Sequence, residues 1–109
     1  MEFRQEQREG WLVLHLEGRL DAGSAPDFDT SLEALSGDGA LKLALNCQNL
    51  AYISSAGLRS LITVAKKLRA GQGRLHFCGL SGMVKEVFEI SGFTGMFVIR
   101  DTVENACRD

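Results

Sequence analysis

Two adjacent serines, Ser54 and Ser55, stand where a predicted strand and polar loop give way to a predicted helix. The first backbone N–H groups of a helix have no intrahelical partner and carry a partial positive charge. A hydroxyl there can cap the helix, and a phosphate there is tolerated. The pair therefore predicts helix capping, phosphorylation, or both at one hydroxyl. If Ser55 is the cap, its replacement by alanine should cost about 0.5–2 kcal/mol.

A nucleophilic serine is the first alternative to these two roles. Serine hydrolases display their nucleophile in Gly-x-Ser-x-Gly, whereas residues 53–57 read Ile-Ser-Ser-Ala-Gly. Both histidines, His15 and His76, fall inside predicted strands, and no base to activate Ser55 is evident. We therefore predict that the protein is not an enzyme and has no catalytic residue.

The sequence also disfavours two other classes of phosphate-handling protein, the phospho-aspartate receivers and the nucleotide-binding proteins with a phosphate loop. A phospho-aspartate receiver needs an aspartate after a central strand and a lysine after the last strands, where this chain has Asn46-Cys47 and Arg100. The run Gly71-Gln72-Gly73 lacks the spacing and the lysine–hydroxyl pair of a nucleotide phosphate loop. We predict no cofactor.

The bulk composition is that of an ordinary globular protein. The chain has 109 residues, 45% of them hydrophobic and 24% charged, with a formal net charge of −2. No basic excess points to nucleic acid. The three cysteines have no metal-ligand spacing and are an odd number, so we predict reduced thiols and no metal site. The charged first residues and the lack of a long apolar run favour one cytoplasmic domain without membrane insertion.

Hydrophobic periodicity, glycines and capping residues divide the chain into alternating strands and helices. This alternation predicts an α/β fold with a mixed, mainly parallel sheet, an antiparallel N-terminal hairpin and about four helices. The polar first strand should lie at the sheet edge. The predicted strands are 3–8, 11–16, 41–45, 74–78 and 97–99. One predicted helix begins near Ala25, and the other three cover 56–70, 81–90 and 102–107.

The two helices that follow the central strands have distinct apolar faces. The first should be capped by Ser24 and end at Gly37 and Gly39, and the second should end at Gly71. The basic side chains of the second helix form either a solvent-exposed face or a contact with a partner protein. Since loops after parallel strands gather at one end of a sheet, Asp21 and the serines should share that end. The predicted buried positions are Phe28, Leu32 and Leu35 in the first helix and Leu58, Leu61, Ile62, Ala65 and Leu68 in the second.

Four motifs in the same order resemble those of the STAS-domain anti-sigma factor antagonists, over nearly the whole chain. They are the Gly-Arg-Leu-Asp turn at 18–21, the serine segment at 52–58, the helix at 80–88 and its exit at 91–93. The resemblance implies a single STAS domain over residues 1–109. It also places Ser55 on the family's phosphorylated serine.

The family resemblance implies a partner switch. The unphosphorylated antagonist binds an anti-sigma factor that is also a serine kinase, and a sigma factor is released. Phosphorylation by that kinase inactivates the antagonist, and a phosphatase resets it. Ser55 would be the phosphoacceptor, and Asp21, Ser54, Ala56 and Gly57 would form the surface that binds the partner.

One position departs from the family pattern, because Ser54 stands where phosphorylated antagonists commonly carry aspartate. The alternative implied by the resemblance is therefore an interaction module that works without phosphorylation, in a lipid-transport or stress-signalling complex.

Overall fold

A computed structural model describes residues 1–35 and 41–108 of the chain. The strands in this part of the chain are β1 (Glu2–Arg8), β2 (Trp11–Leu20), β3 (Lys42–Ile53), β4 (Arg74–Cys78) and β5 (Val98–Arg100). The helices are α1 (Ala25–Leu35), α2 (Ser55–Ala70), α3 (Gly82–Ile90) and α4 (Val103–Ala106), with a 3-10 turn at Phe93–Gly95 that was not predicted from the sequence.

The five strands form one sheet in the order β1-β2-β3-β4-β5. β1 and β2 are antiparallel, and the other pairs are parallel. The hairpin turns through Glu9 and Gly10, whose φ angles of 53° and 85° match the left-handed conformation of a two-residue hairpin turn. The predicted mixed sheet and the edge position of the polar strand are confirmed.

The third strand is much longer than its apolar stretch. The predicted strand 41–45 with a polar loop after it is wrong, since β3 continues to Ile53. Its second half pairs with β2, which also continues beyond its predicted end to Leu20, and Leu20 lies opposite Ile53 despite two register shifts. Main-chain pairing with β2 holds this mixed polar and apolar segment in the sheet, and Cys47, Leu50 and Ile53 are buried in the core. β3 consequently leads directly into the serine pair.

Three helices cover one face of the sheet. Phe28 and Leu32 of α1 are buried as predicted, whereas Leu35 is only partly buried. The predicted helix end at Gly37 and Gly39 lies outside the described residues. On α2 the predicted stripe is partly wrong: Leu61 and Leu68 are buried, and Leu58, Ile62 and Ala65 are only half-buried. Because α2 packs against α1 as well as the sheet, its buried line includes Gly57, Ser60 and Val64.

The other face of the sheet carries a smaller core under α4. Thr102 caps this short helix by accepting a hydrogen bond from the Asn105 N–H at 3.1 Å. The Nδ1–H of buried His76 donates to the Ala106 carbonyl at 2.9 Å. All three cysteines are free and buried. The residues of this second core are Trp11, Val13, Ala44, Cys78, Ala106 and Cys107.

Candidate functional site

Ser54 and Ser55 have different structural roles. Ser54 is the N-cap of α2: its backbone is extended, and its Oγ accepts a hydrogen bond from the Gly57 N–H at 3.2 Å. Ser55 is already the first residue of α2 and is exposed. Among the described residues, nothing bonds to its hydroxyl. Capping was predicted for the serine pair, and of the two residues Ser54 supplies the cap and Ser55 does not, because a cap must lie just before the first helical residue.

The β2–α1 and β3–α2 connections lie against each other. The Ser54 N–H donates to the Leu20 carbonyl at 2.9 Å. Asp21 follows Leu20 and Ser55 follows Ser54, so this bond brings the two predicted site residues to the same end of the sheet. Their shared location is confirmed.

Gly57 makes this close approach possible. A Cβ at Gly57 would lie 2.7 Å from the Leu20 carbonyl oxygen and 2.9 Å from side-chain carbons of Leu20 and Ile53. Real Cβ atoms do not approach a backbone oxygen so closely. The first turn of α2 can therefore rest on the end of β2 only because residue 57 has no side chain.

The Asp21 carboxylate is fixed and ionised beside the serines. Its Oδ1 accepts hydrogen bonds from the N–H groups of Ser24 and Gly23 at 3.1 and 3.0 Å. These bonds, that of Ser24 above all, together with the Arg19 guanidinium, lower the pKa of Asp21. The Arg19 Nε lies 3.7 Å from Asp21 Oδ2, and its guanidinium lies 4.1 Å from the centre of the Tyr52 ring.

A groove between α1 and α2 begins at this end of the molecule. Its upper part, a cavity of about 220 Å³, is lined by residues of both helices, including Pro26, Ala56 and Arg59. A second cavity of about 180 Å³ continues it towards Leu32 and Lys67, and the two share Asp29, Ser60 and Thr63. This groove was not predicted from the sequence. The small residues Ala22, Ala25 and Ala56 at the facing helix starts were the available signal.

A larger cavity lies elsewhere in the described part of the chain. It encloses about 570 Å³ where α2 ends and β4 begins, and Arg69, Leu75 and Phe97 are among its lining residues. None of the predicted site residues lines it.

Neither histidine is placed to activate Ser55. The Nε2–H of His15 donates to the Glu6 carboxylate at 2.7 Å, and His15 Nδ1 accepts from the Asn46 amide at 3.0 Å. His76 holds α4. Within residues 1–35 and 41–108, no cluster of three potential ligands could hold a metal ion. No helix of this described part is both long and apolar enough to cross a membrane.

Comparisons with known proteins identify relatives of this chain. The STAS domain family model matches residues 2–106. A Bordetella bronchiseptica protein named as an anti-sigma factor antagonist, BtrV, is 39% identical over 106 residues, which cover 97% of this chain and 91% of BtrV.

Two solved structures show the same fold. An anti-sigma factor antagonist structure from Thermotoga maritima has a TM-score of 0.87 at 18% identity and covers 95% of this chain and 90% of its own. The phosphorylated form of the Bacillus cell fate determinant SpoIIAA has a TM-score of 0.73 at 23% identity and covers 96% of each chain. The chain therefore belongs to the STAS domain family.

Proposed function

We propose that this protein is an anti-sigma factor antagonist switched by phosphorylation of Ser55. The similarity to BtrV, which carries that name, supports the antagonist function. The observation that supports the switch is the exposed Ser55 hydroxyl, which the helix does not use because Ser54 supplies the cap. The proposed unit of function is a single domain over residues 1–109, without catalytic activity of its own.

In the active state, the unphosphorylated surface binds an anti-sigma factor that is also a serine kinase, and a sigma factor is thereby released. Asp21, Ser54 and Ala56 are the proposed contact residues, with Ser55 at the centre. Gly57, which the resemblance also implied as a contact, is buried, and its part is to let the first turn of α2 rest on the end of β2. The kinase transfers the γ-phosphoryl group of ATP to the Ser55 Oγ, which gives up its proton. A phosphatase later hydrolyses the ester and restores the hydroxyl.

Ser55 is a better acceptor than Ser54 in this geometry. The Ser54 Oγ is half-buried and already accepts the Gly57 N–H, so its modification would disturb the start of α2. The Ser55 Oγ is exposed, and its modification leaves that cap in place. We therefore expect one phosphate, at Ser55.

Phosphorylation should act on binding and leave the fold intact. A phosphoserine carries about −1.5 to −2 charges at neutral pH. A negative charge in the first turn of a helix is favoured by about 0.3–1 kcal/mol. At a packed interface, however, the same group adds bulk, desolvation cost and repulsion from facing carboxylates. A penalty of only about 2.8 kcal/mol would weaken the complex a hundredfold.

Mass spectrometry after incubation with ATP and the candidate kinase tests this proposal. Wild type and Ser54→Ala should each gain one phosphate, and Ser55→Ala should gain none. Binding measured in parallel should be retained by Ser55→Ala and lost by the phosphorylated wild type. A phosphate that persists in Ser55→Ala would disprove the assignment of the acceptor.

The serine at position 54 favours a second candidate, an interaction module that works without phosphate in a lipid-transport or stress-signalling complex. Position 54 lacks the carboxylate usual in the phosphorylated relatives that the sequence resembles. This candidate gains support if an active kinase leaves wild type unmodified while a complex still forms.

A further inference from the structure

Arg59 stands four residues after Ser55 on α2, and both side chains are exposed. Residues four apart on a helix lie one above the other on the same face. Within the described part of the chain, Arg59 forms no ion pair. Its guanidinium is therefore available to a new anion one turn away.

We propose that Arg59 binds the phosphate on Ser55 and holds it against the first turns of α2. This inference rests on the proposed function, because it concerns the phosphorylated state. An anion placed N-terminal to a cation at this spacing is the more favourable arrangement on a helix. The planar guanidinium also matches phosphate geometry and can donate two parallel hydrogen bonds.

The other cations near Ser55 are less suited to this role. Arg19 lies beside the Asp21 carboxylate and over the Tyr52 ring, so a phosphate would have to compete with both. The remaining basic side chains of α2 begin at Lys66, eleven residues beyond Ser55. At 1.5 Å per residue they lie about 16 Å or more along the helix, beyond contact distance.

This pairing would change more of the surface than the modified residue. Arg59 lines the upper part of the α1–α2 groove together with Asp29. An arginine held by the phosphate no longer offers its positive charge to a partner at that groove. Phosphorylation would then change the charge that the protein presents to a partner both at Ser55 and at the upper part of the groove.

The test uses protein with phosphoserine placed at residue 55 during translation by an orthogonal tRNA system, so no kinase is required. The pKa of the second ionisation of the phosphate is measured by ³¹P NMR titration in the otherwise wild-type chain and in Arg59→Gln, Arg59→Lys, Arg19→Gln and Arg69→Gln. Arg69 is the matched control, because it is an exposed arginine in the last turn of the same helix.

If Arg59 binds the phosphate, it favours the dianion, so the wild-type pKa should lie about 0.3 of a pH unit below that of Arg59→Gln. Arg59→Lys should keep most of the difference, and Arg69→Gln should titrate like wild type. The difference should shrink in 1 M salt, where charges are screened within about 3 Å.

Equal pKa values in wild type and Arg59→Gln would overturn the inference. A rise in the phosphate pKa in Arg19→Gln with none in Arg59→Gln would overturn it too, by assigning the phosphate to Arg19. These outcomes are separate from a failure of the proposed function, since the phosphate is present whether or not any kinase modifies Ser55.

Discussion

At the scale of single residues, the two serines divide two chemical roles between them. Ser54 uses its hydroxyl to satisfy the Gly57 N–H, and Ser55 leaves its hydroxyl exposed. The division follows from their positions relative to the start of α2, because only the residue before the first helical one has the extended backbone of a cap.

Ser54→Ala should lower the free energy of unfolding by about 0.5–2 kcal/mol, because the Gly57 N–H loses its acceptor. Ser55→Ala should change it by less than about 0.5 kcal/mol, as for other exposed positions without a special contact. Urea denaturation of the three proteins measures both values. Ser54→Asp is the matched control, since aspartate caps as well as serine, and it should keep near wild-type stability. A larger loss in Ser55→Ala than in Ser54→Ala would contradict this assignment of the cap.

Gly57→Ala should lower the free energy of unfolding by about 1–3 kcal/mol, the usual cost of forcing atoms into a packed region. The new Cβ would meet the Leu20 carbonyl oxygen at 2.7 Å, so α2 would have to shift from the end of β2. Thermal and urea unfolding measure the loss. Gly95→Ala is the control, because a Cβ there meets nothing within 4 Å, and it should be nearly neutral. A Gly57→Ala protein as stable as wild type would show that the contact is not restrictive.

At the scale of elements, α4 is short but covers the second face of the sheet. Trp11 and Val13 have exposed fractions of 2% and 0%, and the Ala106 carbonyl accepts a hydrogen bond from His76 at 2.9 Å. A helix of four residues has little stability of its own, so packing must keep it folded. The benefit is reciprocal, because the same packing excludes water from Trp11.

Removal of residues 102–109 should therefore destabilise the protein by about 3 kcal/mol or more, since burying a large apolar side chain contributes about 1.5–3 kcal/mol. The emission of Trp11, the single tryptophan of the chain, should shift to longer wavelength as water reaches it. Fluorescence and urea denaturation check the two effects. Arg108→Ala serves as the control: its ion pair with Glu104 is exposed, so both properties should stay nearly unchanged. Unshifted emission from the shortened chain would mean that α4 does not protect Trp11.

Element boundaries were predictable where side-chain pattern and backbone pairing agree. Strand β4 matches its predicted range because polar and apolar residues alternate from Arg74 to Phe77 and a glycine stands on either side of the strand. The second half of β3 was missed because its polar and apolar side chains do not alternate regularly. What holds it in the sheet is pairing with β2, a segment distant in the sequence. Val64 was missed for a related reason, since the contact of α2 with α1 is tertiary.

At the scale of the whole molecule, the order of strands and helices was predictable because each element has its own local pattern. The meeting of the Asp21 loop with the serine pair followed from that order, since both loops come after parallel strands. The capping role of Ser54 did not follow, because two adjacent serines offer the same chemistry until the first helical residue is fixed. The groove between α1 and α2 also depends on how two helices pack.

The three buried thiols should make the stability of the whole domain fall in alkaline solution. Burial raises the pKa of Cys78 to about 11 and raises those of Cys47 and Cys107 as well. In the unfolded chain a thiol loses its proton near pH 8.5, whereas the folded chain keeps it. Stability present at neutral pH is therefore lost as the pH rises from about 8.5 towards the higher folded values, because only the unfolded state gains by ionising. Urea midpoints at pH 7 and pH 10 should show the fall, and Cys78→Ala should lose less stability than wild type between the two pH values.

Iodoacetamide at pH 8 should label the native thiols slowly and the urea-unfolded ones fully. Rapid labelling of the native protein would show that the thiols are not protected by burial.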